Sequence, residues 1–292
     1  MSDLFPPRVR GALAVAALAT VAAACGHDAE ARPSARMRGM TSARQVAGEK
    51  QLAVQVQYGA GRLRVSPAEG GLLYRLDLRY DEAQFRPVAE YDREAGRLRL
   101  GVEGRDGHGG SMDSDQAHAT VELSPEVPMD LSLQFGAGEA NVDLGGMSLR
   151  DVSVQTGASQ TSITFAQPNR ITARRVRVQA GAAELRVSGL GNARAQRFEF
   201  EGGMGQATLD FGGAWNQNAT ASVRMGVGAV RLRLPRSLGV KVTKDSFLTS
   251  FDPTGMVKRG DAWFSNGYES SQFKLDLSIN AAVGSIDIDW ID

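Results

Sequence analysis

Cysteine is almost absent from these 292 residues: Cys25 is the only one. A single thiol excludes an intramolecular disulfide, so a domain outside the cytoplasm would stand on its core alone. Histidine is scarce too, with His27, His108 and His118, which leaves no Ser-His-acid arrangement that a regular repeat would bring together. Lys plus Arg and Asp plus Glu both number 33. That balance gives no basic excess and excludes nucleic acid as the expected partner. The apolar stretch Gly11 to Ala24 (GALAVAALATVAAA) is too short to span a bilayer, which takes about 20 residues.

That stretch follows Arg8 and Arg10 and ends in Ala22-Ala23-Ala24-Cys25-Gly26. A basic start, a short apolar run and small residues before the break define a secretory signal peptide over residues 1–24. The cysteine resembles the lipidated residue of a bacterial lipobox, although Ala22 stands where leucine is usual. The alternative is an ordinary signal-peptidase site followed by cysteine by chance. Lipidation at Cys25 implies an extracytoplasmic protein held on a bacterial membrane, since each buried methylene contributes about 0.8 kcal/mol. Gly26 in place of aspartate points to the outer membrane facing the periplasm if the cell has two membranes. Residues 25–50 are polar, aperiodic and interrupted by Pro33, which reads as the lipidated cysteine and a flexible tether.

What the chain has in abundance is glycine, 34 residues, and much of it is periodic. Turns open at Gly136, Gly157, Gly181, Gly203 and Gly226, and subtraction gives spacings of 21, 24, 22 and 23 residues. Before each glycine, offsets −5, −3 and −1 are mostly apolar, as in Leu131, Leu133 and Phe135 or Phe198, Phe200 and Gly202. After it, offsets +4, +6 and +8 repeat the pattern, as in Ala207, Leu209 and Phe211. Period-two alternation means strands with one buried face, and a period near 22 lets equivalent strands stack in parallel.

The expected fold is therefore all-β, a single-domain β-solenoid resembling a parallel β-helix, over residues 51–292. Turns at Gly59 and Ala282 carry the same offsets and extend the repeat to both ends. The 77 residues between the Gly59 and Gly136 turns correspond to about three and a half divergent coils of a terminal capping kind. An antiparallel β meander or sandwich is the alternative, because three-residue glycine turns also close hairpins. Ser159 and Ala183 replace the second glycine at two turns; an obligatory left-handed turn residue would resist that, which favours the solenoid.

Candidate sites are few. Asp106, His108, Asp113, Asp115 and His118 match no EF-hand or zinc spacing and read as a solvated loop, so no metal and no cofactor is expected. Asp287, Asp289 and Asp292 read as the wet side of a terminal strand rather than as acid/base catalysts. The segment after Leu234 concentrates Phe251, Trp263, Phe264 and Tyr268 with Lys258 and Arg259. Such aromatics either plug the open end of a solenoid or offer a surface to a protein or glycan partner. Arginines at outward positions, among them Arg174, Arg177 and Arg231, alternate with acids and read as a mixed solvated face.

The segments QYGAGRLRV, LLYRLDLRY, GVGAVRLRLP and NGYESSQFKLDLSINAAVGSIDID resemble the bacterial cell-envelope family called toast-rack, kin to a domain of regulators of the cell-wall-active antibiotic response. The resemblance implies a non-catalytic extracytoplasmic domain that senses or scaffolds, and it supplies no catalytic motif. Unlike the membrane-spanning regulators, this chain carries a lipoprotein-like signal. The expected role is that of a scaffold or recognition and sensing module in the envelope, with an envelope protein or a glycan as partner. The alternatives are a glycan-binding or polysaccharide-cleaving β-helix and a self-assembling adhesin-like solenoid.

Overall fold

The structure, a computed structural model, describes residues 35–105 and 116–292. Its strands in chain order are β1 (Met37–Gln45), β2 (Leu52–Pro67), β3 (Leu72–Asp81), β4 (Phe85–Asp92), β5 (Arg97–Gly104), β6 (His118–Leu123), β7 (Met129–Asp143) and β8 (Leu149–Thr164). There follow β9 (Ala173–Ser188), a 3-10 turn (Leu190–Ala193), β10 (Ala195–Asp210), β11 (Ala219–Pro235), β12 (Gly239–Phe251), β13 (Met256–Arg259), β14 (Ala262–Ser265) and β15 (Lys274–Ile291).

Each long strand from β7 to β11 is one repeat unit, and the inward residues on both sides of its glycine belong to one core. β7 to β11 stack in parallel and in register, with Leu131 beside Val152, Val152 beside Val176, Val176 beside Phe198 and Phe198 beside Ala221. The fold is thus a β-solenoid, and the parallel ladders exclude the antiparallel meander for the repeat.

The close stacking of the coils explains the glycines. A Cβ at Gly136 would lie 2.1 Å from the carbonyl oxygen of Gly59, and one at Gly228 would lie 1.8 Å from that of Gly205. No side chain fits there without moving the backbone of the neighbouring coil. Gly228 also takes φ 146°, a conformation that L side chains avoid. Ser159 and Ala183 turn their corners differently: among the described residues only Arg194 is a non-glycine with positive φ. The left-handed residue is used where glycine is present and dispensed with at three corners, the third being Thr249 of β12, which stands in register with Gly284.

Core volume is balanced along the stack. Tyr58 and Phe135 stack as parallel rings 6.3 Å apart, and the same column then shrinks through Thr156 and Ala180 to Gly202. Met225 fills the space beside Gly202, where a Cβ would meet its sulfur at 2.8 Å. Phe198 and Phe200 stack in that coil, 6.5 Å apart. Between coils, the buried Asn169 ties two loops together by donating to the carbonyls of Leu149 and Ile171 and accepting from the Leu149 amide.

The ends depart from the simple repeat. β2 stacks on β7, but the residues between them do not add three and a half coils. β5 pairs in parallel with the first half of β2 and β6 with its second half, making one further coil. Antiparallel strands finish this end: β4 on β5, β3 on β6 and β1 on β3. The reading of residues 25–50 as tether is corrected from residue 37 onward, because β1 pairs with β3 over nine residues. Its sequence, MRGMTSARQ, has little apolar alternation of its own; the partner strand supplies the order.

At the other end β15 stacks on β11, and β12, earlier in the chain, takes the outer side of β15. β14 pairs antiparallel with the first half of β12, and β13 with β14.

Candidate functional site

The aromatic segment lies at this C-terminal end. Trp263 on β14 packs edge-on against Phe251, 5.8 Å between ring centres, and both flank the main core. Phe264 meets Tyr268 edge-on at 4.9 Å. Cations of the same chain lie over these rings: Lys258 over Trp263 at 5.7 Å, Arg259 over Phe264 at 5.4 Å and Lys274 over Tyr268 at 5.3 Å. Arg259 is also paired with Glu269 at 2.8 Å. The five candidates fall into two groups on opposite faces of β14, Trp263 with Lys258 and Phe264 with Tyr268 and Arg259, whose rings interact with other rings and cations of the same chain.

The other polar candidates disperse into surface ladders. Asp287 stands in register with Arg231 and Asp289 with Arg233; Arg231 approaches Asp289 at 3.6 Å and Arg236 approaches Asp292 at 3.5 Å. Arg174 lies between Asp130 and Asp151, and Arg177 between Glu199 and Glu201. Gln179 donates to Glu201 at 2.7 Å. That amide first, then Arg177 and Arg224, holds the Glu201 carboxyl below the usual glutamate range despite partial desolvation. His118 is exposed on β6, in register with Arg62. Cys25, Asp106, His108, Asp113 and Asp115 lie outside the described residues. Among the described residues no group of three or more His, Cys, Asp and Glu side chains is placed to hold a metal ion, and no helix is long and apolar enough to cross a membrane.

A feature between the counted offsets is more telling. Among the described residues five large hydrophobic side chains are exposed: Met204 (61%), Val227 (51%), Val283 (42%), Leu248 (64%) and Val257 (49%). The first four occupy the same position, one residue past the corner, on four consecutive strands. Met204 stands beside Val227, Val227 beside Val283 and Val283 beside Leu248. Parallel neighbours are about 4.8 Å apart, so these side chains form one apolar ridge along a corner edge. On the preceding four strands the same position holds Ala60, Ala137, Ala158 and Ala182. Offset +1 was legible in the repeat for all but Leu248, whose strand shows no glycine at its corner.

The family described as the N-terminal domain of toast_rack, DUF2154, matches residues 33–188. That is more than half of the chain, and the protein belongs to this family. No curated protein matches the sequence. Among solved structures, a candidate cell-adhesion protein from Clostridium sporogenes aligns at TM-score 0.46 and 17% identity, covering 88% of this chain and 100% of its own. A candidate adhesin from Bacteroides fragilis aligns at TM-score 0.31 and 12% identity, covering 86% and 97%. One from Parabacteroides distasonis gives 0.37 and 8%, covering 88% and 98%. These are distant likenesses.

Proposed function

We propose that the chain is a non-catalytic recognition or scaffold module of the bacterial envelope, lipid-anchored through Cys25, that meets its partner along the ridge from Met204 to Leu248. One observation carries this reading: among the described residues, four of the five exposed large hydrophobics fall on a single in-register line. Scattered exposed apolar residues are ordinary, whereas contiguous ones mark contact surfaces. Many charges of the wet faces are paired in ladders such as Arg174 with Asp130 and Asp151, whereas the corner leaves contiguous apolar side chains uncovered. The aromatic cluster acts mainly as the closure of the stack, because a sugar ring would have to displace cations already seated on Trp263, Phe264 and Tyr268.

The first described strand, β1, begins twelve positions after Cys25 in the sequence. Mass spectrometry of the mature N-terminus tests the anchor: diacylglycerol on the Cys25 sulfur is expected, and an unmodified cysteine removes it. The ridge is tested in living cells with a photo-crosslinking residue at Val227 and, as control, at Arg186 in the middle of a wet face. Adducts at Val227 and not at Arg186 support the reading; none at Val227, or equal capture at both, overturns it.

A further inference from the structure

The corner column is self-complementary. In stack order it reads Ala60, Ala137, Ala158 and Ala182, then Met204, Val227, Val283 and Leu248. Four small rungs are followed by four large ones. If a second copy lies corner to corner with its axis reversed, every large rung faces a small one. Leu248 meets Ala60, Val283 meets Ala137, Val227 meets Ala158 and Met204 meets Ala182, each twice by symmetry. Both columns have the spacing of a parallel sheet, so the match holds along the whole line.

We infer that the partner on the ridge is a second copy of this chain, paired antiparallel along the corner; this rests on the reading of the ridge as a contact surface. The alternation of rung size selects the direction, and the flanking charges are compatible with it. One flank of the column carries Gln57, Gln134, Gln155 and Gln179, then Glu201, Arg224, Asn280 and Asp245, in the same strand order. Reversal places each of these charges opposite an uncharged amide: Glu201 faces Gln179, Arg224 faces Gln155 and Asp245 faces Gln57. On the other flank Arg62, Glu139 and Glu184 face Ser250, Ser285 and Gln206. A parallel two-fold pairing, with its axis along the stack, would instead set each large rung against its own copy and each alanine against an alanine, leaving the large rungs to clash and the small ones apart.

Eight rungs at about 4.8 Å run about 34 Å. With a strip some 12 Å wide, each copy covers roughly 400 Å², and the pair stays below the roughly 1,200 Å² of a stable interface. The pairing is therefore weak in dilute solution and favoured where copies are concentrated, as on a membrane.

The test is disulfide crosslinking of the full-length protein in native membranes. Ala137→Cys and Val283→Cys lie five rungs apart within one chain, about 24 Å, too far to bridge internally. In the antiparallel pair residue 137 of one copy meets residue 283 of the other. The double variant is expected to give a covalent dimer, while each single variant and the parent give no more than the Cys25 background. Dimers from either single variant would overturn the antiparallel register, and no dimer from the double variant would overturn self-pairing. If Val227 then captures a different protein in the photo-crosslinking experiment, the ridge remains a contact surface and only the second copy is excluded. A size swap adds an independent readout in chemical crosslinking. Ala158→Val alone should reduce dimer yield several-fold and Ala158→Val with Val227→Ala should restore it; failure of the swap to restore yield overturns the opposed rungs.

Discussion

In the middle of the molecule, from β7 to β11, strands stack in the order the chain makes them; at the two ends they do not. Each middle coil finishes beside the place where the next begins, so a short loop closes it at small entropic cost. At the N-terminal end the coil beyond β2 is assembled from two separate strands, β5 and β6. At the C-terminal end β12 lies outside β15 although it precedes it. The middle shows what a repeated local pattern does unaided. The ends show how a stack is terminated: antiparallel strands finish it on both sides, and the last of them, β1 and β13, carry charged side chains that discourage further pairing.

This contrast implies unequal stability, which substitutions can expose. The largest effect is expected from Leu209→Asp, which puts a charge where the side chain is fully buried. A loss of about 4 kcal/mol or more in urea unfolding should follow, against less than about 0.5 kcal/mol for Val257→Asp on the exposed end hairpin. Similar losses at both sites would break the comparison.

Glycine substitutions sharpen it. Gly228→Ala should cost about 2 to 3 kcal/mol, since the new methyl meets the backbone of the adjacent coil and the φ is unfavourable. Gly260→Ala, at φ 60° with nothing within 4 Å of its Cβ, should cost about 1 kcal/mol. Thermal unfolding of the two variants distinguishes them. Trp263→Ala should remove about 2 kcal/mol, locally: hydrogen exchange in β12 should accelerate while β8 and β9 stay protected. Uniform acceleration would mean that the end and the middle unfold as one.

The smallest effect concerns acid. The folded value of Glu201 lies below its ordinary 4.5, so the stabilisation is present above pH 4.5 and is lost as pH falls through the depressed value. Glu201→Gln should flatten that part of the pH profile by less than about 1 kcal/mol, because the group is near the surface. An unchanged profile would remove Glu201 from the acid response.

Much of the architecture was legible in residue order. The glycine spacing predicted the register that the ladders show, including the alignment of Gly59 and Ala282 with the central corners, because a buried face in a parallel stack demands the same inward positions in every coil. The candidate aromatics were legible as a group. Their pairing with Lys258, Arg259 and Lys274 was not, since it depends on how the β13–β14 hairpin folds back. The ridge was half legible: six of its neighbours in the column could be aligned by their glycines, but Leu248 could not.

The sequence by itself determined the coil, its corners and its inward columns, because alternation and glycine act within a few residues of one another. Only the tertiary structure decided which coils are neighbours across long insertions, that β1 belongs to the domain, and that β12 rather than β15 is the outermost coil. Those choices rest on hydrogen bonds between strands far apart in the chain, and a local pattern carries no record of which distant edge will satisfy it.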